Sequence, residues 1–152
     1  MRLYLIRHGA YQSDYTSERG PGLSTIGEAQ ARCAGTFLKA QRANPSVILT
    51  SGYRRAQETA ALIAETLQVD YDPVESPDFS PSGDPYTMRA IIEALDVNEV
   101  MVVGHMCSIG ELARSLSLQA PALFDTCTVM AFERIGAQWK FLGFNDCGRS
   151  IS

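Results

Sequence analysis

The sequence predicts an α/β fold of three layers, in which helices flank a mostly parallel mixed sheet. Short apolar runs alternate with longer segments whose apolar residues recur at helical spacing, which is typical of a parallel sheet with helical connections. Near the C-terminus, two alternating runs flank Gly136 and predict an antiparallel hairpin at one edge of the sheet. A chain of 152 residues has the length of one domain with one core. We therefore expect a single domain over residues 1–152.

The first half of the chain predicts two strands and two helices. Residues 2–6 are apolar and short, as in a buried strand, whereas the loop after them is polar and rich in glycine. Ser24 is suited to cap the helix that follows it. The first helix carries its apolar residues at Ile26, Ala29, Cys33, Phe37 and Leu38, and the second at Ala56, Ala60, Ile63 and Leu67. The predicted elements are a strand over 2–6, a loop over 9–22, a helix over 25–42, a strand over 47–49 and a helix over 54–67.

The second half predicts an irregular segment, two further helices, a strand and the hairpin. Four of the seven prolines fall within 69–86, so this segment predicts irregular backbone with one short strand at its start. Residues 100–103 are all apolar and predict a buried strand that runs into Gly104 and His105. The other predicted elements are helices over 86–95 and 109–118 and hairpin strands over 128–134 and 138–144.

Composition and charge exclude several classes of protein. Apolar residues make up 45% of the chain and charged residues 20%, as in ordinary globular proteins. The formal net charge of −4 argues against nucleic-acid binding, because nucleic-acid-binding domains usually present a basic face. No apolar run reaches the ~18 residues of a membrane span, and the apolar N-terminal run is too short for a signal peptide. We expect a cytoplasmic monomer with no membrane or nucleic-acid partner.

The cysteines do not show the paired spacings of a zinc site. The four of them are Cys33, Cys107, Cys127 and Cys147. Only two histidines, His8 and His105, are available to complete a mixed site. We therefore expect no bound metal, and we expect all four cysteines to be buried, reduced thiols.

Polar clusters follow three of the predicted strands. They are Arg7-His8-Gly9, the segment 51–55 and Gly104-His105. In parallel sheets, ligands bind beyond the carboxyl ends of the strands, so we expect the three clusters to converge on one site. Both histidines of the chain would lie in that site, and Gly9 would let the backbone approach a ligand closely.

The residue types in these clusters suit the binding and transfer of a phosphate group. Neutral imidazole is a good nucleophile near neutral pH, which points to His8. Arg7 offers a rigid fork of donors to phosphate oxygens. One of Arg54 and Arg55 would add to the same anion site at the start of a helix. A protonated His105 would donate to a further phosphate oxygen.

Four segments resemble those of the histidine phosphatase superfamily, the group that includes phosphoglycerate mutases and acid phosphatases. They keep the family order and span most of the chain: LIRHG at 5–9, LSTIGEAQA at 23–31, TSGYRRAQETA at 50–60 and VVGH at 102–105. The short chain and the segment 77–84 are similar to the SixA-like phosphohistidine phosphatases, which lack the insertions of the mutases. The resemblance implies a phosphoglycerate mutase-like fold and one histidine phosphatase domain.

By position in these segments, the resemblance implies a role for each site residue. His8 would accept the phosphoryl group, and Arg7, Arg55 and His105 would bind its oxygens. Arg55 is preferred to Arg54 because it keeps the family spacing within its segment. Two guanidinium groups and an imidazolium would take the place of a metal ion, so no metal and no cofactor is expected.

The leaving group decides whether the site needs an acid. Phosphate esters leave as alkoxides and require a carboxylic acid donor, for which Asp78 is the choice by position and Glu75 and Asp84 are alternatives. An imidazole leaves more readily, because its conjugate acid has a pKa near neutrality. We therefore expect a phosphatase that hydrolyses phosphohistidine on a partner protein, such as a phosphorelay domain, through phospho-His8. A general phosphomonoesterase acting on small phosphate esters and a non-catalytic phosphate-binding module on the same fold are the alternatives.

Overall fold

A six-stranded mixed sheet lies between two layers of helices in the computed structural model, which describes residues 1–13 and 19–150. The strands are β1 (Arg2–Arg7), β2 (Val47–Thr50), β3 (Val74–Glu75), β4 (Glu99–Gly104), β5 (Thr128–Ile135) and β6 (Gln138–Asp146). The helices are α1 (Thr25–Ala40), α2 (Arg54–Leu67), α3 (Pro85–Glu93), α4 (Ser108–Leu116) and α5 (Cys147–Ser150), with a 3₁₀-helix over Pro77–Phe79. In the described part of the chain, none of these helices is long and apolar enough to span a lipid bilayer.

Four strands of the sheet are parallel and the remaining two form an antiparallel edge, which confirms the predicted fold class. The order is β3-β2-β4-β1-β5-β6, and β5 is antiparallel to both of its neighbours. The register pairs Arg7 with Gly104 and Thr50 with Val103, so β1, β2 and β4 end at nearly the same level. The residues that follow these three strands therefore meet at one edge of the sheet.

Each face of the sheet carries its own hydrophobic cluster, because successive side chains of a strand point to opposite faces. In β1, Tyr4 and Ile6 join the cluster against α1 and α2, whereas Leu3 and Leu5 join the cluster against α3 and α4. All four side chains are at most 2% exposed. Burial on both faces explains why the central strands are unbroken apolar runs in the sequence.

Helix α1 buries a different face from the one that its apolar spacing predicts. Ser24 caps the helix as predicted, since its Oγ accepts a hydrogen bond from the Gly27 N–H at 3.1 Å. Ile26, however, is 46% exposed. The buried residues are Gly27, Gln30, Ala31, Ala34, Gly35 and Leu38. A side chain at Gly35 would meet Thr66 of α2 at 2.7 Å, so close approach of the two helices favours small residues over large apolar ones.

Helix α2 has the predicted bounds of 54–67. Two other elements differ from the prediction, one in its position and one in its presence. The short strand of the irregular segment is Val74–Glu75, in the middle of that segment rather than at its start, because it pairs there with the edge of β2. Helix α5 is not predicted, since its four residues are too few for a periodic pattern. Residues 14–18 of the predicted loop lie outside the described residues.

The expectation of four buried, reduced cysteines is wrong. Cys33 of α1 and Cys147 of α5 form a disulfide, with their Cα atoms 6.0 Å apart. Cys107 is a free, exposed thiol and Cys127 is a free, buried one. The sequence could not reveal the pair, because its members are 114 residues apart and approach each other only in the folded chain.

Cys33→Ser should lower the free energy of unfolding by up to about 4.7 kcal/mol, the value that the chain-entropy model gives for a loop of roughly 100 residues. The intact disulfide restricts the unfolded chain, and the substitution removes that restriction. Urea unfolding of the oxidised proteins measures the difference. Cys107→Ser removes the exposed free thiol and is the matched control, with an unchanged midpoint expected. Equal midpoints for Cys33→Ser and the oxidised wild type would contradict the cross-link.

Candidate active site

The two histidines meet because β1 and β4 are neighbours in register. His8 follows Arg7, His105 follows Gly104, and the two preceding residues are paired across the strands. The His8 N–H extends this pairing by donating to the Gly104 carbonyl oxygen at 3.0 Å. The two ring centroids lie 5.0 Å apart, and the side chains are among the buried polar groups of the protein. The structure thus brings both histidines to the predicted edge of the sheet.

A backbone contact fixes the tautomer of His8. The ring Nδ1 lies 2.8 Å from the Gly9 carbonyl oxygen, which can only accept a hydrogen bond. Nδ1 therefore carries the hydrogen, and the lone pair of the neutral ring is on Nε2. Nε2 is consequently the ring atom that can act as a nucleophile.

The loop that follows His8 is held by α1 and α2. The Gly9 N–H donates to Thr59 Oγ1 and the Ala10 N–H donates to Gln30 Oε1, each at 2.9 Å. A side chain at Gly9 would meet the Gly27 carbonyl oxygen of α1 at 2.8 Å. Gly9 therefore permits the close approach of α1. The sequence alone predicts that this glycine permits the close approach of a ligand. Sequence reasoning gives Thr59 and Gln30 no role of their own, and polar residues on buried helix faces are the signal that could have found them.

The two arginines at the start of α2 have different surroundings. Arg54 is exposed, and its Nε forms an ion pair with Glu58 Oε2 at 2.7 Å. Arg55 is only 5% exposed, and its Cζ lies over the rings of Tyr11 and Tyr53. The charge of Arg55 also lowers the pKa of both histidines. Arg55, the arginine that the family spacing favours, is thus the one that lies at the histidines.

Arg7 reaches the same histidines from the end of β1. Its Nη1 donates to the Phe124 carbonyl oxygen at 2.9 Å. Its Nε is buried and has no hydrogen-bond partner among the described residues. Burial lowers the pKa of Arg7, and the nearby charge of Asp125 acts in the opposite direction. A guanidinium with an unused buried donor beside two imidazoles suits an anionic ligand.

Ser51 orients the ring of His105. Its Oγ lies 2.7 Å from His105 Nε2 and accepts a hydrogen bond from the Tyr53 N–H at 3.3 Å. The serine hydroxyl can then donate its hydrogen to Nε2, and with that bond the neutral ring of His105 carries its own hydrogen on Nδ1. Nδ1 is buried without a partner in the described part of the chain, which makes it a donor for a ligand. Sequence reasoning places Ser51 in a cluster but assigns it no role.

Both histidines are neutral at pH 7. Burial, with the charges of Arg55 and Arg7, lowers the pKa of His8 to about 4, although the Gly9 carbonyl acts in the opposite direction. Burial is also the largest cause at His105, where His8 and the two arginines help to lower the pKa to about 3. His105 is therefore neutral before an anion binds, whereas the sequence predicts a protonated ring, because burial beside cations disfavours a further positive charge. The positive charge at the histidines comes from Arg7 and Arg55.

Neither histidine should titrate between about pH 5 and pH 8, where an ordinary imidazole does. The pKa values of about 4 and about 3 lie below this window. Because the chain has only two histidines, NMR of their ring C–H groups reports on both without ambiguity. Unfolding lets both rings bind protons, so the free energy of unfolding should fall as the pH is lowered from about 6.5 towards 4. A midpoint near the ordinary pKa for either folded ring would contradict their burial.

Asp78, the predicted proton donor, does not join this group of side chains. It is exposed, and one of its carboxylate oxygens accepts a hydrogen bond from Ser76 Oγ at 3.0 Å. The same serine oxygen accepts from the Asp78 N–H at 3.1 Å and caps the 3₁₀-helix. Among the contacts between described residues, none joins Asp78 to His8 or His105.

The alternative donors Glu75 and Asp84 have structural partners. Asp84 is the N-cap of α3, and its Oδ2 accepts from the N–H and the hydroxyl of Thr87 at 3.0 and 2.8 Å. Glu75 accepts a hydrogen bond from the side chain of Gln57. These contacts account for both carboxylates without any reference to the histidines.

The assembled groups suit a tetrahedral anion placed at His8 Nε2. The guanidinium groups of Arg7 and Arg55 and the Nδ1–H of His105 provide donors and positive charge for its oxygens. Among the residues that the structure describes, no group of three or more His, Cys, Asp or Glu side chains could hold a metal ion. The arrangement is therefore able to bind a phosphoryl group and to present a nucleophile to it.

A comparison with known families decides the family of the chain. The model of the histidine phosphatase superfamily (branch 1) matches residues 3–79, half of the chain. The chain belongs to the histidine phosphatase superfamily. The matched part of this histidine phosphatase includes His8 and Arg55, whereas His105 lies beyond it.

Similarity to individual members covers different lengths of this histidine phosphatase. It is 27% identical over 133 residues to the phosphohistidine phosphatase SixA of Escherichia coli (strain K12), which is 85% of this chain and 83% of the relative. It is 44% identical over 69 residues to a 2,3-bisphosphoglycerate-dependent phosphoglycerate mutase of Methylobacterium sp. (strain 4-46), but these are 33% of the mutase. A solved structure of SixA complexed with tungstate has a TM-score of 0.92 at 24% identity and covers 99% of both chains. The fold is therefore that of SixA along almost the whole chain.

Proposed function

We propose that this histidine phosphatase hydrolyses phosphohistidine on a partner protein, through a phospho-His8 intermediate and without a metal ion. The observation that carries the proposal is the state of His8. Its Nδ1 is committed to the Gly9 carbonyl, and burial and two arginines keep the ring neutral, so Nε2 offers a lone pair where an anion would bind. A module that only binds phosphate has no need of such an atom, which argues against that alternative.

The reaction proceeds in two displacements at phosphorus. His8 Nε2 attacks in line, a bond from phosphorus to Nε2 forms, and the bond from phosphorus to the substrate imidazole breaks. Arg7, Arg55 and the Nδ1–H of His105 stabilise the charge on the three equatorial oxygens. The substrate ring is protonated on its other nitrogen, so it departs as neutral imidazole and needs no further proton. A water molecule then attacks phospho-His8, inorganic phosphate leaves, and the neutral ring of His8 is restored.

The choice of phosphohistidine as substrate rests on the leaving group. An imidazole needs little help from an acid, because its conjugate acid has a pKa near neutrality. Asp78, Glu75 and Asp84 have partners away from the histidines, so the site suits a substrate of this kind. A relative that aligns with 85% of this chain, SixA of Escherichia coli, is named a phosphohistidine phosphatase, which supports the same choice.

A general phosphomonoesterase is the second candidate function. One observation favours it, the 44% identity to a phosphoglycerate mutase over 69 residues. That relative is named for a small phosphate ester. On this reading, an acid such as Asp78 would have to move towards the leaving group.

Turnover of three substrates distinguishes the two functions. A phosphohistidine peptide should be hydrolysed with a kcat/KM at least about tenfold above that of a phosphoserine peptide or an aryl phosphate, because its leaving group needs no acid. Release of inorganic phosphate is measured for each substrate at one pH, with the uncatalysed rate subtracted. Faster turnover of either ester than of the phosphohistidine peptide would reject the proposal in favour of the phosphomonoesterase.

The same assay tests Asp78 in the Asp78→Asn protein. If Asp78 acts as the donor, ester cleavage should slow far more than phosphohistidine cleavage, since only the alkoxide needs a proton. Asp96→Asn is the matched control, because it makes the same change at an exposed aspartate that is not a candidate donor. Equal effects of Asp78→Asn on both substrates would remove Asp78 from the catalytic groups.

We further propose that the protein is a cytoplasmic monomer. Its partner would be a phosphohistidine protein, such as a phosphorelay domain. One chain suffices, because His8, Arg7, Arg55 and His105 all come from it. In that compartment Cys33 and Cys147 would be held mainly as thiols, because disulfides persist mainly in oxidising compartments.

A further inference from the structure

Two aromatic rings cover the guanidinium of Arg55. Its Cζ lies 4.5 Å from the ring centroid of Tyr11 and 4.8 Å from that of Tyr53, both within the range of a cation–π contact. The same rings also contact the histidines. The centroids of Tyr11 and His8 are 5.4 Å apart, and those of Tyr53 and His105 are 4.7 Å apart. The two tyrosines therefore connect Arg55 to both imidazoles.

Tyr11 is held over Arg55 by contacts that lead back to α2. Tyr11 forms an antiparallel bridge with Leu23, and the Leu23 N–H donates to Glu58 Oε1 at 2.8 Å. A side chain at Gly22 would meet the same Glu58 oxygen at 2.8 Å, so the glycine permits this approach. Helix α2 thus carries Arg55 and also anchors the segment that places a ring against it.

Tyr11 has a second property that core packing does not explain. Its side chain is 42% exposed, so the ring is not required to fill either hydrophobic cluster. Its ring contacts Arg55 and His8, and its hydroxyl group is near enough to Arg7 to raise the pKa of that arginine against the lowering by burial, so all three partners lie at the candidate active site. An exposed ring whose contacts are with site residues acts on the site rather than on the core.

We propose that Tyr11 is a positioning residue, which holds the guanidinium of Arg55 in the orientation that binds phosphate. The inference rests on the proposed role of Arg55. A free arginine side chain has many rotamers, and binding an anion requires that it lose them. A ring that already restricts the guanidinium reduces this loss when the anion binds, which strengthens binding without any contact between the ring and the anion.

Inhibition by inorganic phosphate and kcat/KM for an aryl phosphate test the proposal in Tyr11→Leu and Tyr11→Phe. Loss of the ring in Tyr11→Leu should raise the inhibition constant of phosphate about tenfold and lower kcat/KM to a similar extent. Tyr11→Phe keeps the ring and should stay within about twofold of the wild type on both measurements. Tyr11→Met is a second variant without a ring, in case the leucine protein is poorly folded. Tyr86→Leu, the same change at an exposed tyrosine of α3, should alter neither quantity.

A double-mutant cycle with Arg55→Met shows whether Tyr11 acts through Arg55. In the Arg55→Met background, Tyr11→Leu should have almost no further effect on kcat/KM, because the cation is already absent. The proposal is overturned by a wild-type inhibition constant in Tyr11→Leu, by equal losses in Tyr11→Phe and Tyr11→Leu, or by the same loss from Tyr11→Leu in both backgrounds. Wild-type kcat/KM in Arg55→Met alone would instead overturn the proposed role of Arg55 itself.

Discussion

The His8→Ala protein is expected to form no phosphoenzyme and to lose turnover by a factor on the order of 10⁶, the size of the loss when a serine protease is deprived of its nucleophile. The substitution removes Nε2, the atom that bonds to phosphorus in the first displacement, and leaves the anion-binding groups in place. The measurement is a single turnover with a ³²P-labelled phosphohistidine peptide, quenched in alkali because phosphohistidine survives there. Label should appear on the wild-type protein and not on the variant.

A matched variant separates loss of the nucleophile from loss of packing. His8→Asn keeps an N–H group that can donate to the Gly9 carbonyl, as Nδ1 does, but it has no atom in place of Nε2. We expect the same loss of turnover with a free energy of unfolding close to that of the wild type. Labelled phosphoenzyme in either variant, or turnover within about tenfold of the wild type, would mean that a different residue is the nucleophile.

Arg55→Ala should lower kcat/KM by a factor of about 10²–10³, the usual cost of removing one donor to a developing charge. Arg55 is buried, and its charge is strong enough at the site to lower the pKa of both histidines. Without it, fewer donors face the equatorial oxygens of the transition state. Steady-state turnover of an aryl phosphate measures the loss, and Arg55→Lys should give an intermediate value, since it keeps the charge without the fork of donors.

The neighbouring arginine provides the control for this prediction. Arg54 is exposed and paired with Glu58, and an exposed ion pair is worth less than about 1 kcal/mol. Arg54→Ala should therefore change kcat/KM by no more than about fivefold. Comparable losses in Arg54→Ala and Arg55→Ala would show that general positive charge, rather than one positioned guanidinium, is what the site requires.

The fold class follows from patterns that are local in the sequence, and the details that do not follow depend on distant contacts. Apolar runs and helical spacing are sufficient to predict the α/β sheet and the bounds of α2. The buried face of α1 is not predicted, because contact with Thr66 of another helix favours Gly35 over a larger side chain. The Cys33–Cys147 disulfide is not predicted for the same reason, since its two residues meet only after the chain has folded.

In the candidate site, too, some features follow from local sequence patterns and others depend on contacts between distant residues. Position after a strand is a local property, so the sequence predicts that His8 and His105 meet. Ser51 and Tyr11 act through a hydroxyl contact and a ring contact to residues far along the chain, and no local pattern marks them. The protonation state of His105 depends on its burial beside two arginines, and this burial is a property of the folded chain that no local sequence pattern reveals.

The hydrogen-bond register between β1 and β4 also sets the position of His8 relative to His105. A slip of one residue would carry His8 about 3.3 Å along the strand and turn its ring to the other side of the sheet. The same slip would exchange Leu5 and Ile6 between the two apolar clusters, so the packing of apolar side chains on both faces of the sheet opposes it. The distance between the rings of His8 and His105 is therefore fixed by apolar residues that do not contact the phosphate. Conservative substitutions in the nearby loops should leave this distance unchanged.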